Sequence, residues 1–218
     1  MKVILFGATG MVGQGVLREC LRDPDVSAVL AVGRGPTGQE HPKLREEVLA
    51  NVGDLGPIAD EMVGYDACFF CLGVSSAGMS EEAYRKVTFD LTLAVARTLA
   101  RNTKLTFVYV SGQGTDSSER GRRMWARVKG RTENALLELP FQTYAMRPGY
   151  IQPLHGITSK TRLYSAMYAV VKPLYPLLRR IAPAYVTTTE QVGRAMLHVA
   201  RAGAPKRVLE TKDINALG

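Results

Sequence analysis

The sequence predicts an α/β protein, a doubly wound parallel sheet of the Rossmann kind with a small C-terminal cap-like segment. Three observations predict it. The chain starts with a short apolar run that breaks into spaced glycines and then an amphipathic stretch. Strand-like and helical runs then alternate at the spacing of right-handed crossovers. Finally, glycine or polar residues recur at the strand ends, where sheets of this kind bind ligands. The 218 residues suit one domain, 1–218, with 152–187 as a cap or substrate-side segment.

Residues 3–6, Val-Ile-Leu-Phe, read as a buried strand. Glycines follow at 7, 10 and 13, and Val16, Leu17, Cys20 and Leu21 mark the apolar face of a helix. Glycine permits backbone angles closed to other residues. Its missing side chain also lets a pyrophosphate reach the first N–H groups of the helix, where the macrodipole favours negative charge. Gly7, Thr9, Gly10, Met11, Val12 and Gly13 are therefore candidate dinucleotide contacts. Residues 26–32 read as the second strand, ending in Gly33-Arg34-Gly35. An acidic residue there bonds a free ribose 2′-hydroxyl, whereas an arginine suits a 2′-phosphate. Arg34 thus favours NADP(H) over NAD(H).

The polar stretch 37–45 reads as a surface loop with a short helix at most, and 47–52 as a third strand closed by Gly53-Asp54-Leu55. Asp54 either bonds the adenine or caps a helix beginning near Pro57, and Leu55 is a candidate contact beside it. Residues 66–73 give a fourth strand, apolar without alternation as in sheets covered on both faces, with Cys71, Leu72 and Gly73 at its cofactor end. Cys68 and Cys71 spell C-x-x-C, but strand residues three apart point to opposite faces, so both read as buried inert thiols and no metal site is expected. Residues 81–101 carry the clearest helical pattern, with Tyr84, Val87, Thr88, Leu91, Val95 and Leu99 on one face. A fifth strand at 105–110 leads to Ser111, a helix at 124–139 follows, and a sixth strand at 143–146 ends in Arg147-Pro148-Gly149-Tyr150. Arg147 and Pro148 complete the candidate cofactor rim.

From 152 to 187 the pattern changes. Lys160, Arg162, Lys172, Arg179 and Arg180 lie among aromatic and aliphatic residues, and no acidic residue does. Such a segment either caps a substrate pocket, the preferred reading, or meets a membrane surface or partner protein through 159–186. Thr187-x-x-Glu190 then reads as a capping box, Val192, Ala195, Met196 and Val199 as an apolar helix face, and Gly203 as its end, before a possible edge strand at 207–210.

Hydrophobic residues at 46% and charged residues at 22% are an ordinary globular balance, and no run approaches the roughly 20 apolar residues that span a bilayer. The apolar run 3–6 is also far shorter than the roughly 7–15 residues of a secretion signal, so the expected location is the cytoplasm. Three cysteines do not make a disulfide framework. The net charge of +8 calls for an anionic partner. Arg120, Arg123, Arg127 and Arg131 fall at spacings of three and four, but no recognised nucleic-acid motif accompanies them. A solvated basic face is the reading, and nucleic acid is not an expected partner.

Gly7-Ala8-Thr9-Gly10-x-x-Gly13, Ser111, Lys129-Gly130 and Arg147-Pro148-Gly149 together resemble the short-chain dehydrogenase/reductase superfamily, in its atypical branch of NmrA-like, Tat-interacting-protein-like and epimerase/dehydratase-like proteins. The resemblance implies an NAD(P)-binding oxidoreductase or epimerase-like enzyme acting on a small substrate. It also implies roles: Ser111 orients the substrate and Lys129 binds the nicotinamide ribose. Active members place a tyrosine four residues before that lysine as the proton-transfer group, and this chain has Trp125 there. An indole N–H is not a usable acid near neutral pH, and a positioned proton donor is worth roughly 10²–10⁴ in rate. Tyr150 and Tyr84 are the candidate phenols to stand in for it. The alternative is a catalytically impaired NADP(H)-binding sensor or scaffold, docking to a partner or membrane surface.

Overall fold

The computed structural model describes residues 1–158 and 175–218. Strand β1 (Lys2–Phe6) leads into helix α1 (Met11–Arg22), then β2 (Ala28–Gly33), β3 (Leu44–Val48) and β4 (Ala67–Phe70). Helices α2 (Glu81–Arg85) and α3 (Leu91–Leu99) precede β5 (Thr106–Val110), which is followed by α4 (Met124–Leu137), β6 (Gln142–Arg147) and β7 (Tyr150–Gln152). The chain ends with α5 (Tyr175–Ile181), β8 (Val186–Thr188), α6 (Thr189–Ala202), β9 (Val208–Glu210) and α7 (Thr211–Leu217). Seven strands form one parallel sheet in the order β3-β2-β1-β4-β5-β6-β9, so the order reverses direction between β1 and β4. Ligands bind such sheets at that switch point, beyond the carboxyl ends of the strands.

The sheet is covered on both faces because successive side chains alternate across it. Val3, Leu5, Ala31, Phe69, Val108 and Met146 face α1 and α6, where Val16, Leu17, Val192 and Met196 meet them. Ile4, Phe6, Leu30, Cys68, Phe70 and Phe107 face the other way, onto Leu93, Ala96 and Leu99 of α3 and Leu136 of α4. On that side Phe6, Phe70, Phe107 and Phe141 run ring to ring across the sheet at 5.5, 5.9 and 5.5 Å between successive centroids. Cys68 and Cys71 do lie on opposite faces, and burial holds both thiols well above their ordinary range.

Several local expectations change. The third strand is Leu44–Val48 rather than 47–52, and the residues before it are not helical. It pairs on one side only, with β2, and its Leu-Arg-Glu-Glu-Val pattern is that of a charged edge strand, which hides it from a search for apolar runs. Instead of a helix near Pro57 there are two single 3₁₀ turns, Gly56–Ile58 and Asp60–Met62. The 81–101 helix is interrupted by a π-helical turn, Lys86–Asp90, spanned by an Arg85–Asp90 ion pair at 2.9 Å. That turn delays the helical register, so Val87 is exposed while Thr88 and Thr92 are buried. The N-cap of α6 is Thr188, whose Oγ1 accepts from the Gln191 amide at 2.9 Å; Thr187 belongs to β8 and Glu190 is taken up by ion pairs. Strands β7 and β8 form a separate two-stranded parallel sheet, and α7 follows the expected edge strand. Of the basic aromatic segment, 159–174 lies outside the described residues, including Lys160, Arg162 and Lys172.

Helices α1 and α6 pack closely through glycines. A Cβ on Gly15 would stand 2.6 Å from the Thr189 Cβ, and one on Gly193 2.8 Å from the Glu19 side chain. Glu19, itself buried, pairs with Arg18 and with Arg194 across the two helices. Overpacking of this kind typically costs about 1–3 kcal/mol. Gly15→Ala is therefore expected to lower unfolding stability by about 2–3 kcal/mol in a denaturant titration; an unchanged midpoint would show that the helices separate freely.

Candidate functional site

The site begins at the turn between β1 and α1. Gly7 has φ +82°, a left-handed conformation that glycine alone adopts readily, and a Cβ there would stand 2.8 Å from the carbonyl carbon of Cys71, the residue just after β4. The Gly7 carbonyl accepts from the Gly10 amide at 2.9 Å, and a Cβ on Gly13 would stand 1.9 Å from the Gly7 oxygen. The first bond of the helix runs from the Gln14 amide to the Gly10 carbonyl at 2.8 Å, so the amides of Met11, Val12 and Gly13 precede the ladder. The N-cap Gly10 makes no side-chain cap, and the first turn carries no acidic side chain. This is a cradle that suits a pyrophosphate.

Beside it a groove of about 440 Å³ runs over the ends of β1, β2 and β3. Gly7, Thr9, Gly33, Arg34, Glu47 and Leu72 are among its walls. Arg34 is exposed at the mouth. Two carboxylates that the strand-end rule does not reach also line the groove. Glu46 accepts from the Thr37 amide at 2.7 Å and so ties the loop after β2 to β3, while Glu47 pairs with Arg45 at 3.0 Å. They belong to the edge strand, whose position the apolar pattern misplaced. A larger cleft of about 590 Å³, lined by Glu19, Arg22, Asp23, Arg194 and Arg201, lies against the carboxyl ends of α1 and α6. Helix carbonyl ends repel anions, so the smaller groove is the better phosphate site.

The other expected cofactor contacts divide. Gly73 is exposed after β4, while Cys71 and Leu72 are half-buried there with their backbone against Gly7. Asp54 uses its Oδ1 to accept from the Gly56 amide at 3.2 Å in an Asx turn; the N-cap of the following 3₁₀ turn is Leu55, with no side-chain cap, so Asp54 caps no helix. Leu55 is buried in the core beneath α3 and offers no side chain to a ligand. Pro148 is buried, and its carbonyl accepts from the Gln113 amide at 2.9 Å. Arg147 is the clearest departure. Its guanidinium binds the fully buried Glu133 carboxylate, with one Nε contact at 3.0 Å, and also reaches Glu210 at 3.4 Å and the Ser117 hydroxyl. The Glu133 hydrogen bonds raise the arginine pKa. Arg147 thus ties α4 to β6 and β9.

At the end of β5, the buried Ser111 donates its Oγ to the Met146 carbonyl at 3.1 Å, so the expected substrate-orienting hydroxyl is committed to β6. Lys129 on α4 donates from Nζ to the Ser111 carbonyl. Burial lowers its pKa to about 8, against an upward pull from Glu133 one turn further along. Trp125, one turn before Lys129, lays its ring against Gly114: a Cβ there would stand 3.4 Å from Cη2. Tyr150 donates its hydroxyl to Gln152 Oε1 at 2.9 Å, and burial raises its pKa. Tyr84 is only 2% exposed. The structure therefore brings Ser111, Lys129 and Trp125 together, and gives neither phenol an evident role.

Comparison with known proteins agrees with the fold. No family model matches the chain. Among curated proteins it is 26% identical over 222 residues to protein HTATIP2 of Rattus norvegicus, covering 99% of this chain and 88% of that protein. It is 28% identical over 226 residues to protein fmp52-2, mitochondrial, of Aspergillus oryzae, covering 98% and 95%. Among solved structures it superposes on the YIR035C short-chain dehydrogenase/reductase of Saccharomyces cerevisiae with a TM-score of 0.67 at 13% identity, covering 99% and 98% of the two chains. It superposes on MoeE5 in complex with UDP-glucose and NAD with a TM-score of 0.66 at 17% identity, covering 96% and 75%.

Removing one partner of a buried ion pair leaves an uncompensated charge and costs about 3–5 kcal/mol. Arg147→Met is expected to destabilise the protein by that amount in thermal or denaturant unfolding, while folded molecules retain their dinucleotide affinity. A variant of full stability with weakened binding would return Arg147 to the cofactor.

Proposed function

We propose that this chain, an atypical short-chain dehydrogenase/reductase by its fold and its relatives, binds NADP(H) and works as an oxidoreductase or epimerase-like enzyme on a small carbonyl or sugar-related substrate. The observation that carries the proposal is the Gly7–Gly13 cradle, where a side chain on either glycine would collide with backbone, opening onto the groove that Arg34 borders. The α1 amides would hold the pyrophosphate, Arg34 a 2′-phosphate, and Lys129 the nicotinamide ribose. The dinucleotide supplies the hydride. The chain's own part is to hold it, to orient the substrate beside Trp125 and Lys129, and to manage the proton.

Trp125 in place of the tyrosine favours a second reading, a dinucleotide-occupied sensor that does not turn over. The proposed location is the cytoplasm: among the described residues no helix is long and apolar enough to cross a membrane. The fungal relatives carry "mitochondrial" in their names, and subcellular fractionation decides.

The sequence has one tryptophan, so quenching of Trp125 reports binding directly. NADPH is expected to bind at least about tenfold more tightly than NADH, a difference of roughly 1.4 kcal/mol, and Arg34→Ala to remove most of that preference by weakening NADPH alone. Equal affinities in the parent protein would contradict the NADP(H) assignment. Tight binding without oxidation of NADPH across a carbonyl panel, together with activity gained in Trp125→Tyr, would favour the sensor.

A further inference from the structure

We infer that Lys129 takes the tyrosine's task and delivers the proton to the substrate's carbonyl oxygen. This rests on the reductase reading above. The hydroxyls near the ends of β5 and β6 already donate elsewhere: Ser111 Oγ to the Met146 carbonyl, Thr115 Oγ1 to the Gly112 carbonyl at 2.7 Å, and Tyr150 to Gln152. Tyr84 and Tyr109 are 2% and 1% exposed within the core. Asp116, the acid on the following loop, accepts from Ser118 and from the Gly121 amide, and these bonds hold its carboxyl below the usual range, in the form that cannot donate. Glu133 is buried against Arg147.

Lys129 differs from all of these. An ammonium carries three hydrogens, and the Ser111 carbonyl takes one. The side chain stays partly exposed, and a Cβ on Gly112 would stand 3.8 Å from Nζ, so the amine lies close to the loop that follows β5. Its proximity to Trp125, one turn away on α4, puts it beside the position that the family gives to the tyrosine. Burial brings its pKa to about 8, and a group with a pKa near the working pH is the more effective acid.

Glu133 on α4 raises the lysine pKa; Arg147 from β6 neutralises that carboxylate, and Glu210 at the end of β9 joins Arg147. From β5 comes the uncharged Ser111 carbonyl.

The balance is simple. As hydride reaches the carbonyl carbon, the π electron pair moves to oxygen, and oxygen takes a proton from Nζ. The substrate becomes an alcohol, the dinucleotide is oxidised, and Lys129 is left as a neutral amine that regains its proton from water.

The test uses the full chain saturated with NADPH and 4-nitrobenzaldehyde as the carbonyl probe, with binding followed by Trp125 quenching. The parent rate is expected to fall as pH rises through about 8, because the ammonium is lost there. Lys129→Arg, whose cation persists at all these pH values, is expected to lose that alkaline limb and about 10²-fold or more in kcat. Amine labelling followed by mass spectrometry gives a readout without turnover: Lys129 should react with a midpoint near pH 8, below the free-lysine reference of about 10.4, and be protected by NADPH. An alkaline limb that survives in Lys129→Arg, or a labelling midpoint for Lys129 near the free-lysine reference of about 10.4, overturns the inference and leaves the reductase reading standing. A folded, NADPH-bound parent protein that oxidises no NADPH overturns both.

Discussion

The structure depends on the contact between Gly7 and Gly13. The helix that follows β1 turns so sharply that its third residue lies over the Gly7 carbonyl, with no room for a methyl group. The same Gly7, at φ +82°, lets β1 run close beside the backbone that leaves β4. Both constraints are steric, and together they fix where α1 starts and where it points. From that placement follow the free first-turn amides, the groove over β1 and β2, and the packing of α1 on α6 through Gly15 and Thr189.

The second half of the site depends on α4, which is held at a different place by charge. Glu133 is fully buried and would be untenable alone, and Arg147 reaches it from β6 while also touching β9 and the loop before α4. A Cβ at Gly130 would stand 1.8 Å from the Asp116 carbonyl, so that loop lies directly on the helix. Trp125, Lys129 and Glu133 follow at successive turns of the same face. A buried ion pair adds little net stability, but it fixes geometry, and here that geometry sets Lys129 against the end of β5. Arg147, expected at the cofactor rim, instead positions the helix that carries Lys129.

The large features were legible in the sequence because they follow from period and glycine spacing. Val3–Phe6 with Gly7, Gly10 and Gly13 gave the turn, the unalternating runs gave strands buried on both faces, and Gly203 marked the end of α6. What was not legible depends on partners distant in sequence. Nothing local to Arg147 reveals that Glu133 and Glu210 will meet it, or that Ser111 will bond across to Met146. The edge strand β3 carries three consecutive charged residues, Arg45, Glu46 and Glu47, so it lacks the apolar signal that marks its neighbours, and Glu46 and Glu47 are hidden as groove residues for the same reason. The π turn at Lys86–Asp90 is spanned by an i, i+5 ion pair, a spacing that a 3.6-residue period does not describe. Thr187 and Thr188 are adjacent hydroxyls, and only the pairing of β7 with β8 decides which of them caps α6.

The central claim is that the glycine turn and Arg34 grip opposite ends of one phosphorylated adenosine. A crystal structure of the protein soaked with NADP⁺ tests it most directly. The account predicts pyrophosphate oxygens on the amides of Met11, Val12 and Gly13 and the 2′-phosphate on the Arg34 guanidinium. A dinucleotide seated elsewhere, or a 2′-phosphate turned away from Arg34, would contradict it.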